Sequence, residues 1–235
     1  MVDTAVILAG GQGTRLFPLT ADRPKQLVPI LNRPLISWIL LWLKKNGIKN
    51  VVVSTDYQKE LLMDYLGDGK KFGVKIKYND HAGAKDTGDA FKSVFKNIKL
   101  PKTVLALNGD QITDLSVKDL VAHHNASSHV ATLVAVPTKL PYGIIEKDDA
   151  HNVMDFKEKP VMENLLMSAG IYVFDKKIAD YFPESGPIER TTFKKLAAEG
   201  KLKVYVHKGF FTTVNNHKDL KDSEEILKNE KLNLI

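Results

Sequence analysis

Apolar residues enter the first half of this chain in short bursts at 5–8, 51–54, 74–78 and 103–107, rich in β-branched side chains. Between the bursts, segments 35–45, 59–66 and 88–97 carry apolar residues at helical spacing. Continuous apolar runs suit strands buried on both faces, and their alternation with helices predicts a parallel sheet covered on two sides. The second half changes character, with strand-like runs at 130–137, 144–147, 153–156, 168–174 and 203–207, turns at Tyr142-Gly143 and Asp148-Asp149, and a last helix over 218–228. The expected fold is α/β, a Rossmann-like three-layer α/β/α sandwich with a mixed, mainly parallel central sheet. Ligands of such sheets sit beyond the carboxyl ends of the strands, so the loops after Leu8 and after Leu107 should face one crevice.

The chain has 235 residues, 43% of them hydrophobic, which suits one domain with a substantial core. No repeat, low-complexity tract or linker divides it, and no hexapeptide β-helix pattern follows residue 220. The expectation is a single domain over 1–235. The longest apolar stretch, 34–43, is too short to span a bilayer, and the first residues are unlike a secretory leader, so no membrane partner and a cytoplasmic location are expected. The absence of cysteine excludes disulfides and thiol catalysis. A net charge of +6 raises nucleic-acid binding, but the lysines are dispersed and no aromatic-basic motif accompanies them. The charge reads as solvated surface plus a site for an anionic substrate. Trp38 and Trp42, four apart on an apolar helix, read as core, and His123, His124, His129, His151, His207 and His217 as packing or surface residues.

Chemistry concentrates in Val6-Ile-Leu-Ala-Gly-Gly-Gln-Gly-Thr-Arg-Leu16, followed by Pro24-Lys25-Gln26-Leu27. A strand empties into Gly10, Gly11 and Gly13, whose backbones let several N–H groups converge on phosphate oxygens. Leu8, Ala9 and Thr14 belong to the same cradle, and Arg15 and Lys25 supply cations. One such cation about 4 Å from a phosphate charge is worth roughly 4 kcal/mol at an effective dielectric of about 20, before desolvation. Two other glycine loops fail: Gly13 is followed by Thr14-Arg15 rather than Lys-Ser/Thr, and Leu16 stands where a dinucleotide fingerprint needs its third glycine. Asn108-Gly109-Asp110 places a carboxylate at the end of a strand, where a hard cation such as Mg²⁺ finds an oxygen ligand. The same tripeptide also reads as turn chemistry.

The stretch VILAGGQGTRLFPLTADRPKQLVPILNRPLI resembles the signature of the sugar-1-phosphate nucleotidyltransferases, with further matches near Asp110, Tyr142, Glu158, Gly170 and Asn215. The resemblance implies attack of a sugar 1-phosphate oxygen on the α-phosphorus of a nucleoside triphosphate, with Mg²⁺ as cofactor. It implies catalytic roles for Arg15, Lys25 and Asp110 and nucleotide contacts from the glycine loop, Thr87 and Gly109, so that 1–115 is the nucleotide half. Sugar-phosphate contacts are implied for Tyr142, Gly143, Glu158, Lys159, Ser168 and Gly170, so that 116–235 is the sugar half. Ser168 stands where the family usually has asparagine. A late family carboxylate is missing, and Asn215, in a Val-Asn-Asn like that of bacterial N-acetylglucosamine-1-phosphate uridyltransferases, is the implied second metal ligand. Asn215 or Asn216 also reads as a helix N-cap, and Asp86 as either a cap or a base contact. Base, sugar and any homo-oligomer stay open. Two other readings compete: a catalytically weakened regulatory subunit of the same fold, motivated by Ser168 and the missing carboxylate, and a glycosyltransferase, which should carry an Asp-x-Asp that Asp110-Gln111-Ile112 lacks.

Overall fold

Val6 and Ile7 are neighbours in sequence and lie in different cores, because successive side chains of a strand point to opposite faces of its sheet. Both are fully buried, so this strand is covered on two sides, as its unbroken apolar run predicts. The structure, a computed structural model, describes residues 2–84 and 86–229. Its strands are β1 (Thr4–Leu8), β2 (Pro29–Ile30), β3 (Arg33–Pro34), β4 (Asn50–Thr55), β5 (Lys75–Asp80), β6 (Thr103–Asn108), β7 (Gln111–Thr113), β8 (Ala131–Lys139), β9 (Ile144–Lys147), β10 (Val153–Lys157), β11 (Val161–Asp175), β12 (Leu202–Val206) and β13 (Phe211–Thr213). The helices are α1 (Leu35–Lys45), α2 (Lys59–Leu66), α3 (Thr87–Asn97), α4 (Val117–Asn125), α5 (Thr192–Ala198) and α6 (His217–Asn229).

Seven strands form the central sheet in the order β12-β8-β11-β6-β1-β4-β5. Neighbours pair in parallel except at β11, which runs antiparallel to both β6 and β8. On one face, Ile7, Val53, Leu107 and Ile171 meet Ile36, Leu40 and Leu43 of α1, Leu62 of α2 and Leu120 of α4. On the other, Val6, Val52 and Ala106 meet Phe91 and Val94 of α3 and Phe193 and Leu196 of α5. Tyr172 and Phe174 stack on that second face at 5.3 Å, and the Phe91 ring meets Phe174 edge-on at 5.4 Å. The mixed three-layer sandwich expected from the sequence is therefore present.

Several local outcomes follow the side chains. Trp42 is a core residue, with Nε1 donating to the Leu115 carbonyl at 2.9 Å, and Trp38 packs half-buried against a core cluster, with Nε1 donating to the Ile30 carbonyl at 3.2 Å. His124 is buried against the Thr132 hydroxyl. Strand β11 is 15 residues long, well beyond the predicted 168–174. Its pairing with β8 shifts register between Ser168 and Tyr172, where Gly170 takes φ +66°. A Cβ there would collide with Gln111 Nε2 and stand 2.7 Å from Asn108 Nδ2, so both the backbone angle and the packing demand glycine. Strands β9 and β10 pair only with each other, forming a separate arm. No helix among the described residues is long and apolar enough to cross a membrane.

Candidate active site

Three segments far apart in sequence meet at the Lys25 ammonium. Its Nζ lies 2.7 Å from Asp110 Oδ2 and 2.9 Å from Asn215 Oδ1. Lys25 opens a short 3-10 turn after Pro24, and Asp110 sits in the turn between β6 and β7. β13 pairs antiparallel with β7, and Val214 N donates to the Asp110 carbonyl at 3.0 Å, which sets Asn215 beside Asp110. Asn215 Nδ2 donates to Thr213 Oγ1 at 3.0 Å, leaving the amide oxygen for Lys25. The cap of α6 is Asn216, whose Oδ1 accepts from Asp219 N at 2.9 Å, while the Asp219 carboxylate accepts from Asn215 N at 3.0 Å. The two asparagines thus divide the work: Asn216 caps, and Asn215 faces the site.

A cleft of about 360 Å³ opens beside this junction. The glycine loop forms one wall, Lys25, Gly109 and Asp110 the floor, and Asp86 and Thr87 at the start of α3 the opposite side. The glycines are needed for specific reasons. A Cβ on Gly10 would collide with His81 Nε2, one on Gly109 would stand 2.7 Å from the Leu8 carbonyl, and Gly13 has φ +65° with Lys25 Cβ 2.9 Å from its missing methyl. Gly11 meets no such obstacle.

Not every expected residue lines the cleft. Arg15 is exposed on the turn Thr14–Leu16, which buries Leu16, and is not among the cleft-lining residues. Asp86 occupies the N-cap position of α3 in extended conformation but makes no side-chain capping bond, and it lines the cleft. The Thr87 hydroxyl is engaged, donating to Glu189 Oε2 at 2.9 Å and accepting from Ile188 N at 3.1 Å. Gly170 adjoins the cleft through Asn108, which lines it and packs on Gly170, and Gly170 N donates to Ser168 Oγ at 3.4 Å. The remaining sugar-site candidates gather at the two ends of the β9-β10 arm, before β9 and after β10: a Cβ on Gly143 would stand 2.5 Å from Phe156 Cζ and 3.0 Å from Glu158 Oε2, and Lys159 Nζ lies 3.0 Å from Glu158 Oε1. Tyr142 is exposed beside them.

Gln26, Asp56 and His81 also line the cleft and were not singled out in the sequence. Gln26 is 3% exposed, and its Oε1 is buried without a partner among the described residues, an arrangement that suits a ligand donor. The Pro-Lys-Gln-Leu run flanking Lys25 was the available signal for it. His81 is buried under Gly10 with Nδ1 2.7 Å from Ser54 Oγ, and burial holds its pKa below the usual histidine value. The loop is therefore floored by a neutral ring at neutral pH.

The donor set fits magnesium. Asp110 and Asn215 offer one carboxylate and one amide oxygen, both already turned toward a cation, and Mg²⁺ takes few protein ligands, leaving the rest to phosphate and water. Among the described residues no cluster of three or more His, Cys, Asp or Glu stands ready for a metal that demands an all-protein cage.

The sequence profile described as nucleotidyl transferase matches residues 4–228. The chain is 32% identical over 221 residues to the mannose-1-phosphate guanylyltransferase catalytic subunit beta of Dictyostelium discoideum, covering 92% of this chain and 62% of that protein. It is 33% identical over 196 residues to the UTP–glucose-1-phosphate uridylyltransferase of Synechocystis sp., covering 76% of this chain and 50% of that one. The D-glycero-alpha-D-manno-heptose 1-phosphate guanylyltransferase of Campylobacter jejuni is 32% identical over 200 residues, with 85% of this chain and 87% of that protein covered. The chain thus spans between half and two thirds of the length of the first two relatives. Among solved structures, HddC of Yersinia pseudotuberculosis superposes with a TM-score of 0.76 at 25% identity, over 96% of this chain and 100% of that one. A profile that runs almost from end to end, over a sheet whose glycine loop and strand-end acid converge on one cleft, leaves a single conclusion: the chain belongs to the nucleotidyl transferase family.

Proposed function

We propose that this chain transfers a nucleotidyl group from a nucleoside triphosphate to a sugar 1-phosphate, giving a nucleoside-diphosphate sugar and pyrophosphate. The observation that carries the reading is the meeting of Lys25, Asp110 and Asn215 on the floor of a cleft walled by the glycine loop. A sugar-phosphate oxygen attacks the α-phosphorus; the bond from that phosphorus to the bridging oxygen breaks, and pyrophosphate leaves with the electron pair. A phosphate monoester is already anionic near neutral pH, so the nucleophile needs no general base. The protein's task is to hold two anions together and offset charge on the leaving group.

In this reading the backbone of Gly10 and Gly11 receives the triphosphate, Lys25 turns from Asp110 toward it, and Arg15 reaches in from its exposed turn. Asp110 and Asn215 would hold Mg²⁺, which would supply electrostatic neutralisation of the phosphates. Glu158 takes sugar hydroxyls, and Lys159 neutralises the sugar phosphate, with Tyr142, Gly143, Ser168 and Gly170 completing that side. Residues 1–115 then serve the nucleotide and 116–235 the sugar, within one cytoplasmic domain. Several relatives carry guanylyltransferase names, so GTP is the first donor to test.

The test is pyrophosphate release across GTP, UTP, TTP and ATP paired with hexose and heptose 1-phosphates in the presence of Mg²⁺. One pair should turn over well above the rest. Nucleotide binding without release from any pair would favour the regulatory-subunit reading instead.

A further inference from the structure

We propose that Glu189 accepts a hydrogen bond from a hydroxyl of the sugar, with Thr87 holding its carboxylate in place for that task. The inference rests on the transfer reaction proposed above and adds to it a specificity-determining residue.

The argument starts from where Glu189 is held. After β11 the chain passes through a 3-10 segment, Lys176–Tyr181, and the following loop reaches the start of α3. There Gly186 N donates to Asp89 Oδ1 at 3.1 Å, and a methyl on Gly88 would collide with the Gly186 carbonyl. Ile188 is fully buried, and its N–H donates to Thr87 Oγ1. Glu189 is thus fixed at its backbone by its neighbours and at its side chain by Thr87.

Its two oxygens are used unequally. Oε2 accepts from the Thr87 hydroxyl at 2.9 Å, whereas Oε1 has no partner among the described residues, on a side chain open to solvent. The Thr87 proton is committed, so the carboxylate at this end of the cleft is oriented and still has accepting capacity. Thr87 itself lines the nucleotide cleft, which puts Glu189 at the border between that cleft and the β11 side.

On the β11 side the nearest hydroxyl-bearing residues are Ser168, which is exposed, and Tyr172, which is buried. The buried Tyr172 phenol is pushed far up by burial, feels the negative charge of both Glu189 and Asp110, and shares a hydrogen bond with Ser168. Tyr172 therefore lies within electrostatic reach of the floor acid and of Glu189, with Ser168 beside it. An oriented carboxylate with accepting capacity to spare, beside the cleft-lining Thr87, suits a neutral polyol, because an ionised carboxylate is the strongest acceptor a sugar hydroxyl can find. It also makes good the accepting capacity lost where Ser168 is shorter than an amide.

The experiment compares Glu189→Gln with the wild type on the active donor and sugar phosphate, then repeats both with sugar 1-phosphates lacking one hydroxyl each. Glutamine keeps an oxygen for Thr87 and removes the charge, so a merely structural clasp would leave both KM values unmoved. The expected result is a rise of at least about tenfold in the sugar-phosphate KM with the triphosphate KM within about twofold. One deoxy position should cost the wild type the same factor and cost the variant almost nothing. Glu189→Asp, which keeps the charge on a shorter stem, should fall between the two and stands in should the glutamine variant fail to fold. An active wild type whose glutamine variant shifts neither KM, or both alike, overturns this inference alone. A wild type that releases no pyrophosphate with any pair overturns the transfer reading, and this inference with it.

Discussion

Lys25 and Asp110 stand 85 positions apart in sequence and meet with Nζ 2.7 Å from Oδ2, in a pair whose lysine is only 8% exposed. Asn215 Oδ1 shares the same ammonium at 2.9 Å. The cation that should meet phosphate and the oxygens that should meet metal are therefore stored together, each satisfying the other.

Replacing Asp110 by alanine removes the proposed metal oxygen and the anchor of Lys25 at once. Turnover should fall by about 100- to 1000-fold or more. The fold should survive, since Lys25 keeps Asn215, with a melting temperature lower by a few degrees. Pyrophosphate release and circular dichroism on one preparation check both, and a folded variant with near-normal turnover would sink the assignment.

Gly10→Ala drives a methyl into His81, which Ser54 holds from behind. The triphosphate KM should rise by about tenfold or more, and stability should drop by about 1–3 kcal/mol. Adding His81→Ala makes room, so the double variant should recover part of both losses. A double-mutant cycle reads the coupling directly, and strict additivity would contradict the packing argument.

The burial that depresses the pKa of His81 also depresses that of His124. Both rings are neutral in the folded chain at pH values where the unfolded chain, near 6.5, begins to bind protons. Stability is therefore fully present above about pH 6.5 and declines as pH falls toward the folded-state values. Denaturant midpoints between pH 7.5 and 5 should show that decline. His124→Asn, remote from the cleft, should flatten it.

Much of this architecture was legible because it is written in local patterns. Runs such as 5–8 and 103–107 are buried on both faces and can hardly be anything else. The three-residue strands β7 and β13 carry too little periodicity to register, although their pairing is what brings Asn215 to Asp110. The front of β11 was missed because Glu163 and the exposed Leu165 and Leu166 follow no buried pattern. In the site, Lys25 and Asp110 announced themselves by chemistry. His81 did not, since its importance lies in a contact with Gly10, 71 positions away in sequence, that no local pattern encodes. Arg15 followed the cradle in sequence, but burying Leu16 in the next position leaves it exposed on the turn.

Chelation should abolish turnover, and added Mg²⁺ should restore it. Asn215→Ala should raise the Mg²⁺ concentration needed for half-maximal rate by several-fold, while Asn215→Asp should lower it, because a carboxylate holds the ion more firmly than an amide. A metal titration of the three proteins checks the order. Identical curves would remove Asn215 from the ligand set.

Lys159→Ala should raise the sugar-phosphate KM by about tenfold and leave the triphosphate KM near its starting value. An unchanged constant for the sugar phosphate would count against its role.

The seam at Gly88, where the start of α3 presses on the loop around Gly186, has a mechanical consequence. It welds the helix that edges one substrate's berth to the segment carrying the proposed contact for the other, across about a hundred intervening residues. On the proposed reading the spacing between the two reactants depends on a joint with no slack for a methyl group, so even a small side chain there should misalign them without touching either.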